Sequence, residues 1–337
     1  MLEVNYLEII DHHPWVVKER QDCILSPDSD GFLCGLLFAH FLNWKVVGYY
    51  DGKIMVLKEG LKAGECVFLD MDVYRRNIKS VGQHMVLYNK RNIPLNWKNF
   101  SNCVQLNNLR NFDAKQDFQR KYPFATVHFL LGLLHAKGII ATLSELAIWP
   151  LLFTDGVCNN LFGYPENCLD WLTYLGMSEP TNILYPVFYG HHNMTSIMQG
   201  ISDFFSIRDR YNAQGQFING SYVPRGYKRS GHELRISNTR GEPINLVSHG
   251  SVFHIHETEK VRVEGFIKEL GKYAGWAYKQ EDWPWVDLKL CRFSKRSLER
   301  LNTATYNELL RKRVPLSFVI RSGAICEFTL EEPDTIT

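Results

Sequence analysis

Short apolar runs alternate with longer apolar stretches through the first half of the chain. Residues 23–25 form a β-prone run, and residues 32–43 (FLCGLLFAHFLN) have the pattern of a buried helix. Further strands are predicted at residues 44–50 (WKVVGYY), 54–57 and 66–69 (CVFL). Strands that alternate with helices indicate βαβ units. The pattern therefore predicts an α/β fold, with a mostly parallel sheet flanked by helices.

The second half of the chain has a different pattern. After helical patterns at 124–136 and 142–152, residues 207–245 combine many arginines with Gly, Asn, Ser and Pro, as loops and linkers do. The remainder predicts strands at 252–257 and 314–323 and helices at 259–272 and 297–312. We therefore expect a first domain at 1–190, a linker or basic loop region at 191–245, and a smaller C-terminal α+β domain at 246–337.

Composition narrows the class of protein further. Hydrophobic residues make up 45% of the 337 positions and charged residues 22%, which is enough to bury a core and excludes a disordered chain. The formal net charge of +2 argues neither for nor against nucleic acid. No apolar run has the length of a membrane span, and the acidic start does not resemble a signal peptide. The eight cysteines form no CxxC pair, so reduced thiols and a cytoplasmic location are expected.

Acidic residues stand where predicted strands and helices end. In open α/β sheets, ligands bind beyond the carboxyl ends of the strands, so these positions are candidates for chemistry. Carboxylates together with a histidine make a shell for hard divalent ions, with Mn²⁺ or Mg²⁺ favoured over zinc. The ordinary alternative for each aspartate is a helix N-cap or a turn. The candidates are Asp28 and Asp30 in PDSDG, Asp70 and Asp72 in VFLDMD, His84 in GQHM, and Asp155 in LLFTDG.

The order of these motifs resembles the DHH phosphoesterase superfamily, over roughly residues 20–175. A strand followed by D-x-D and a helix is similar to CILSPDSDGFLCGLLF, and an aspartate closing a strand is similar to VFLD. The D-H-H signature corresponds to Gln83-His84-Met85. The helix that opens with small hydroxyl residues resembles PFATVHFLLGLLHAKGI, and the fourth motif resembles ELAIWPLLFTDG. The earlier string Asp11-His12-His13 precedes the D-x-D and is not the family motif.

The resemblance implies two metal sites with unequal ligand sets. One ion would be held by Asp30, Asp70, His84 and Asp155, and the other by Asp28 and a bridging Asp70. The chain departs from the family pattern, which has a histidine where Ser26 or Ile24 stands here, and an aspartate and a second histidine where Gln83 and Met85 stand. A weaker second ion could arrive with substrate phosphate. Alternatively a histidine from elsewhere completes the site, the candidates being His12, His13, His191 and His192.

The function implied by the resemblance is metal-dependent hydrolysis of phosphodiesters in single-stranded nucleic acid or short oligonucleotides. Asp70 and His84 would act in catalysis, and Asp72 would be a helix cap or a support for the ligands. The alternatives are a small-molecule phosphatase or pyrophosphatase, and a catalytically inactive subunit that binds or scaffolds.

No membrane partner is expected, and a homo-oligomer or a partner protein remains open. Basic and aromatic side chains that could track a phosphate backbone and stack bases, or could form only a solvated face, are Arg208, Arg210, Tyr211, Tyr222, Arg225, Tyr227, Lys228, Arg229, Arg235, Arg240, Arg292, Lys295, Arg296, Arg300, Arg311, Lys312, Arg313 and Arg321.

Overall fold

The computed structural model describes residues 3–84, 87–190, 192–211 and 233–331, and the backbone alone of 217–218 and 221–222. The helices are α1 (Tyr6–His12), α2 (Ser29–Leu42), α3 (Thr126–Ala136), α4 (Ile148–Phe153), α5 (Val157–Gly163), α6 (Pro165–Tyr174), α7 (Tyr185–Phe188), α8 (Met194–Arg210), α9 (Glu257–Ala274) and α10 (Thr303–Glu308). The strands are β1 (Asp22–Leu25), β2 (Lys45–Tyr50), β3 (Ile54–Lys58), β4 (Val67–Leu69), β5 (Lys79–Gly82), β6 (Cys103–Gln105), β7 (Phe217–Ile218), β8 (Ser221–Tyr222), β9 (Leu246–His249), β10 (Val252–Ile255), β11 (Leu288–Glu299), β12 (Ser317–Ser322) and β13 (Ile325–Glu331).

Five strands from the first third of the chain form the parallel part of the sheet, in the order β2-β1-β4-β5-β6. The carboxyl ends of β1, β4 and β5 lead into Asp28, Asp70 and His84 respectively. The predicted α/β fold, with a parallel sheet and helices, is confirmed at this level. Its assignment to the DHH phosphoesterases stays a prediction.

Antiparallel strands extend the same sheet beyond β2. β3 pairs with β2, and β11 pairs with β3 through five residue pairs from Leu288↔Lys58 to Arg292↔Ile54. The far half of β11 then pairs with β13, which pairs with β12. Strands on both sides of the expected 191–245 linker region therefore belong to one sheet, and α8 occupies residues 194–210 of that region. The division into domains stays a prediction.

Alternate side chains of the strands pack into different cores, as the pleat of a sheet requires. Leu25 and Leu69 face the core shared with the helices, where α2 packs against α3 and α9. Ile24 and Phe68 face the opposite core, with Phe293 of the C-terminal half. The apolar runs that predicted these strands are buried on both faces for this reason.

The predicted helix at 297–312 is wrong over its first six residues, 297–302. Ser297–Glu299 is the end of β11, where Leu298 pairs with Cys326 of β13. The tertiary pairing with β13 outweighs the local helical pattern. The helix begins only at Thr303, after the Asn302 side chain accepts hydrogen bonds from the backbone N–H groups of residues 304 and 305.

Two other features agree with the expectations from composition. Each of the eight cysteines is an unpaired thiol. No helix in the described ranges is long and apolar enough to cross a membrane.

Candidate metal centre

Asp70, His84 and Asp155 come together at the carboxyl edge of the parallel strands. Each offers one ligand atom, and these three atoms lie within 4.8 Å of one another. Asp70 is buried, His84 is partly buried, and Asp155 is exposed as a residue. Two carboxylate oxygens and an imidazole nitrogen form a donor set that suits a divalent cation.

Backbone conformation places two of these aspartates. Asp70 has φ 60° and Asp155 has φ 52°, so both lie in the left-handed region that few residues other than Gly, Asn and Asp adopt readily. Asp70 follows the last residue of β4 directly, and Asp155 follows α4 at a turn that continues into Gly156. These two positions therefore suit aspartate better than a β-branched residue.

Asp28 and Asp70 lie close together, and the hydroxyl group of Ser26 is near both carboxylates. The Ser26 Oγ lies 2.6 Å from Asp70 Oδ2 and 3.0 Å from Asp28 Oδ1. Asp28 also caps α2, since its Oδ1 accepts a hydrogen bond from Gly31 N at 3.1 Å. Asp28 therefore caps a helix and also lies close to the candidate metal centre. It is not among the three clustered ligands.

Asp30 is buried and is engaged by the first turn of α3. Its two carboxylate oxygens accept hydrogen bonds from Thr126 N at 2.7 Å and Val127 N at 3.0 Å. Thr126 Oγ1 also donates to Asp70 Oδ1 at 2.8 Å. The N-terminus of α3 therefore holds both carboxylates, which explains the small hydroxyl residue that opens this helix.

Side chains outside the ligand set fix the loop that carries His84. Asp72 Oδ2 accepts a hydrogen bond from His84 N at 2.8 Å, so Asp72 supports the ligand, one of the two roles expected for it. Gln83, which stands at the D-H-H aspartate position, donates through Nε2 to Asp155 Oδ2. The buried Asn107 donates through Nδ2 to Gln83 O at 2.8 Å. Nothing in the sequence pattern indicated a role for Asn107.

Negative charge accumulates in this cluster. Burial raises the pKa values of Asp30 and Asp70 well above the usual range, and neighbouring carboxylates add to the effect. The carboxyl group of Asp155 is surrounded by protein atoms although part of the residue is exposed, and desolvation followed by the charges of Asp30 and Asp28 raises its pKa. Between described residues, no lysine or arginine forms an ion pair with Asp28, Asp30, Asp70 or Asp155.

Two further ionisable groups lie near the cluster. Desolvation lowers the pKa of Lys121, an effect that the negative charge of Asp155 opposes. Leu234 N donates to Pro27 O at 2.9 Å, which brings residue 233 next to the D-x-D segment. Burial, then the charge of Asp28, raises the pKa of Glu233 to about 7. Sequence reasoning missed both residues, because each depends on contacts between distant segments.

Three of the histidines considered as replacement ligands, His12, His13 and His192, are not part of the cluster. His12 Nδ1 lies 2.8 Å from Glu8 O, and His13 lines a cavity beside β6. His192 Nε2 lies 3.1 Å from Pro186 O. His191 and Met85 lie outside the described residues.

The basic residues proposed to track a phosphate backbone are partly engaged in ion pairs. Arg208 pairs with Asp209 at 2.6 Å, and Lys295 and Arg321 both pair with Glu327. Lys312 pairs with Glu308 at 2.6 Å. Arg225, Tyr227, Lys228 and Arg229 and the side chain of Tyr222 lie outside the described residues, so the nucleic-acid groove stays a prediction.

Comparison with known proteins adds no assignment. No family model matches the chain, and no curated protein and no solved structure is significantly similar to it.

Proposed function

We propose that the chain is a metal-dependent phosphoesterase of the DHH type, which hydrolyses phosphodiester bonds in single-stranded nucleic acid or short oligonucleotides with Mn²⁺ or Mg²⁺. The observation that supports this proposal is the cluster of Asp70, His84 and Asp155 at the carboxyl edge of the parallel strands. The order of the motifs along the chain supports it as well.

The residues present suit a divalent ion. The carboxylate charges of the cluster are buried or crowded and have no lysine or arginine ion pair among the described residues, so a cation would offset them. Mn²⁺ accepts both carboxylate and imidazole ligands, whereas Mg²⁺ takes mainly oxygen and keeps several water molecules. Asp70, His84 and Asp155 would hold the first ion. Asp28, next to Asp70, would take part in a second and weaker site.

A divalent ion at this position would supply Lewis-acid activation of water and would neutralise charge on phosphate oxygens. The protein side chains keep the ligands in place. Ser26 and Thr126 orient Asp70, Asp72 holds the backbone of His84, and Gln83 holds Asp155. Lys121 adds positive charge near Asp155, where an anionic substrate would approach.

One observation favours a second candidate, a binding subunit without catalysis. Gln83 donates to Asp155 Oδ2, and backbone N–H groups occupy both oxygens of Asp30. These contacts reduce the number of free ligand atoms. A protein that retains the binding cleft but cannot hold two metal ions would bind oligonucleotides without cleaving them.

Hydrolysis assays distinguish the two candidates. Substrates are 5′-labelled single-stranded DNA and RNA, dinucleotides and pyrophosphate, each with Mn²⁺, Mg²⁺ or EDTA. We expect the wild type to cleave a phosphodiester only with a divalent ion, and Asp70→Asn and Asp155→Asn to be inactive but folded. Asparagine is chosen because both positions have positive φ. The matched control is Asp287→Asn, an exposed aspartate with φ 56° outside the cluster.

Full activity in a folded Asp70→Asn variant would exclude the proposed centre. A wild type that binds oligonucleotides but cleaves none of these substrates would favour the binding subunit. Cleavage of pyrophosphate alone would indicate the small-molecule alternative.

A further inference from the structure

Two segments that are distant in sequence meet at one surface of the molecule. The loop at 91–97 lies against the end of α10 and the helical turn after it. Asn96 Nδ2 donates to Leu310 O at 2.6 Å, and Asn307 Nδ2 donates to Asn92 Oδ1 at 2.9 Å. The loop is therefore fixed to the body of the protein on both sides of its tip.

The tip of this loop exposes aliphatic side chains. Ile93 is 51% exposed and Leu95 is 99% exposed, while Pro94 between them is buried. Val314, four residues after Leu310, is also exposed and has φ 44°, a conformation that costs energy in a β-branched residue. Single exposed leucines are common in proteins, but several aliphatic side chains presented together on an anchored surface are typical of contact with a partner or a membrane.

Basic side chains accompany the aliphatic ones in both segments. Residues 91–97 and 307–314 contain four basic residues and one acid, Glu308, which is already paired with Lys312 at 2.6 Å. All four basic residues are exposed. Those that form no ion pair with another described residue are Arg91, Arg311 and Arg313. The surface therefore combines an aliphatic tip with uncompensated positive charge.

We propose that this surface docks the protein on a membrane with anionic headgroups. Ile93 and Leu95 insert at the boundary of the hydrocarbon, and the basic residues lie at the level of the headgroups, as in other interfacial anchors. A nucleic-acid strand would match the charge but not the tip, because strands are held by aromatic rings on which bases stack. The ring of this loop, Trp97, packs instead against Phe100, with 4.8 Å between the ring centroids.

Docking of this kind needs no membrane-spanning helix. The expectation that the chain has no membrane partner followed from its apolar runs, whereas this surface joins residues 214 positions apart in the sequence. The proposal is independent of the proposed phosphoesterase function.

Co-sedimentation with vesicles measures the docking. The full chain is mixed, in EDTA, with vesicles of phosphatidylcholine alone or of two parts phosphatidylcholine to one part phosphatidylserine. The test variants are Leu95→Asp and Arg311→Ala, both at exposed positions. The matched controls are Leu169→Asp, at a leucine of α6 that is 54% exposed, and Lys272→Ala, at an exposed lysine of α9. Thermal melting checks that each variant is folded.

We expect the wild type to bind the vesicles that contain phosphatidylserine and not those of phosphatidylcholine alone, and to bind less as the salt concentration rises. Arg311→Ala should lower the partition coefficient about fivefold, the effect of one basic residue near an anionic surface. Leu95→Asp should lower it at least about tenfold, because it removes an inserted aliphatic side chain and adds a repelled charge. Both controls should bind as the wild type does.

Insertion of the tip is tested with Leu95→Trp, for which Leu169→Trp is the control. In the presence of vesicles with brominated acyl chains, the fluorescence of Leu95→Trp should be quenched more than that of the wild type. The fluorescence of Leu169→Trp should not be.

Failure of the wild type to bind phosphatidylserine vesicles would overturn the proposal, and so would equal binding by the wild type, Leu95→Asp and Arg311→Ala. Without vesicle binding, oligonucleotide affinity that is lost in both variants would assign the surface to nucleic acid instead. Self-association that is lost in Leu95→Asp, again without vesicle binding, would assign it to a second copy of the chain. Because EDTA removes metal ions, none of these results bears on whether the chain is a phosphoesterase.

Discussion

Replacing Asp70 by asparagine should stabilise the metal-free protein and abolish its stabilisation by Mn²⁺. Ligand atoms of Asp70 and Asp155 lie within 4.8 Å of each other. At an effective dielectric constant of about 20, two unit charges at that separation repel by about 3.5 kcal/mol. The raised pKa of both groups means that this repulsion is relieved in part by protonation, so we expect a gain of about 1–3 kcal/mol.

Asparagine preserves the local hydrogen bonds better than alanine. Its Oδ1 can accept from Thr126 Oγ1, and its Nδ2 can donate to Ser26 Oγ, which leaves the Ser26 hydroxyl to donate to Asp28. Asparagine also tolerates the positive φ of this position, whereas alanine would add backbone strain of about 1 kcal/mol. For a chain of this length, a gain of 1–3 kcal/mol corresponds to a rise in Tm of about 1.5–4 °C.

Differential scanning calorimetry at pH 7.5, in EDTA and in Mn²⁺, measures both effects. Mn²⁺ at 100 times its Kd should stabilise the wild type by about 2.7 kcal/mol, and the variant much less. Asp287→Asn should behave like the wild type in both buffers. A lower Tm of Asp70→Asn in EDTA, together with an unchanged response to Mn²⁺, would refute the argument that Asp70 is a repelled ligand.

Two further predictions concern the same cleft. Calorimetric titration with Mn²⁺ should show one tight site or two unequal sites, because His84 and Asp155 cluster with Asp70 but not with Asp28. Two equally tight ions would require a ligand outside the five predicted residues. The pKa of Glu233, raised from its ordinary 4.5 to about 7, means that its neutral form favours the fold, so metal-free stability should fall as pH rises from about 4.5 to above 7. Glu233→Gln should make Tm less dependent on pH in that window, whereas the control Glu242→Gln, at an exposed position, should not. If Tm depends on pH in Glu233→Gln as it does in the wild type, another group titrates in that window.

Local patterns were sufficient for the elements that form the parallel sheet. The apolar runs at 23–25, 44–50 and 66–69 are buried on both faces, so their strands could be predicted without knowledge of their partners. The sequence also indicated Asp28, Asp70 and Asp155 as candidates, because each lies within three residues of the end of a predicted element. What the pattern could not supply was pairing between distant segments.

The missed features all depend on such long-range contacts. β11 pairs with β3 across about 230 residues of sequence, and the strand continues through Ser297–Glu299 because β13 lies beside it. Asn107 reaches the Gln83 carbonyl, and the segment after residue 232 reaches Pro27. Periodicity carries no information about these contacts, because they arise only once the separate elements have packed.

The pairing of β3 with β11 determines what would happen if the chain were divided into two polypeptides. Arg262 of α9 donates to the carbonyl oxygens of Tyr211 at 2.7 Å and Glu233 at 2.6 Å, and α9 packs on α2. A chain cut between Tyr211 and Glu233 would therefore leave two pieces with a shared strand ladder and a shared helix interface. Encoded as two polypeptides, these pieces would assemble on each other as subunits, and each alone would expose a sheet edge prone to aggregation.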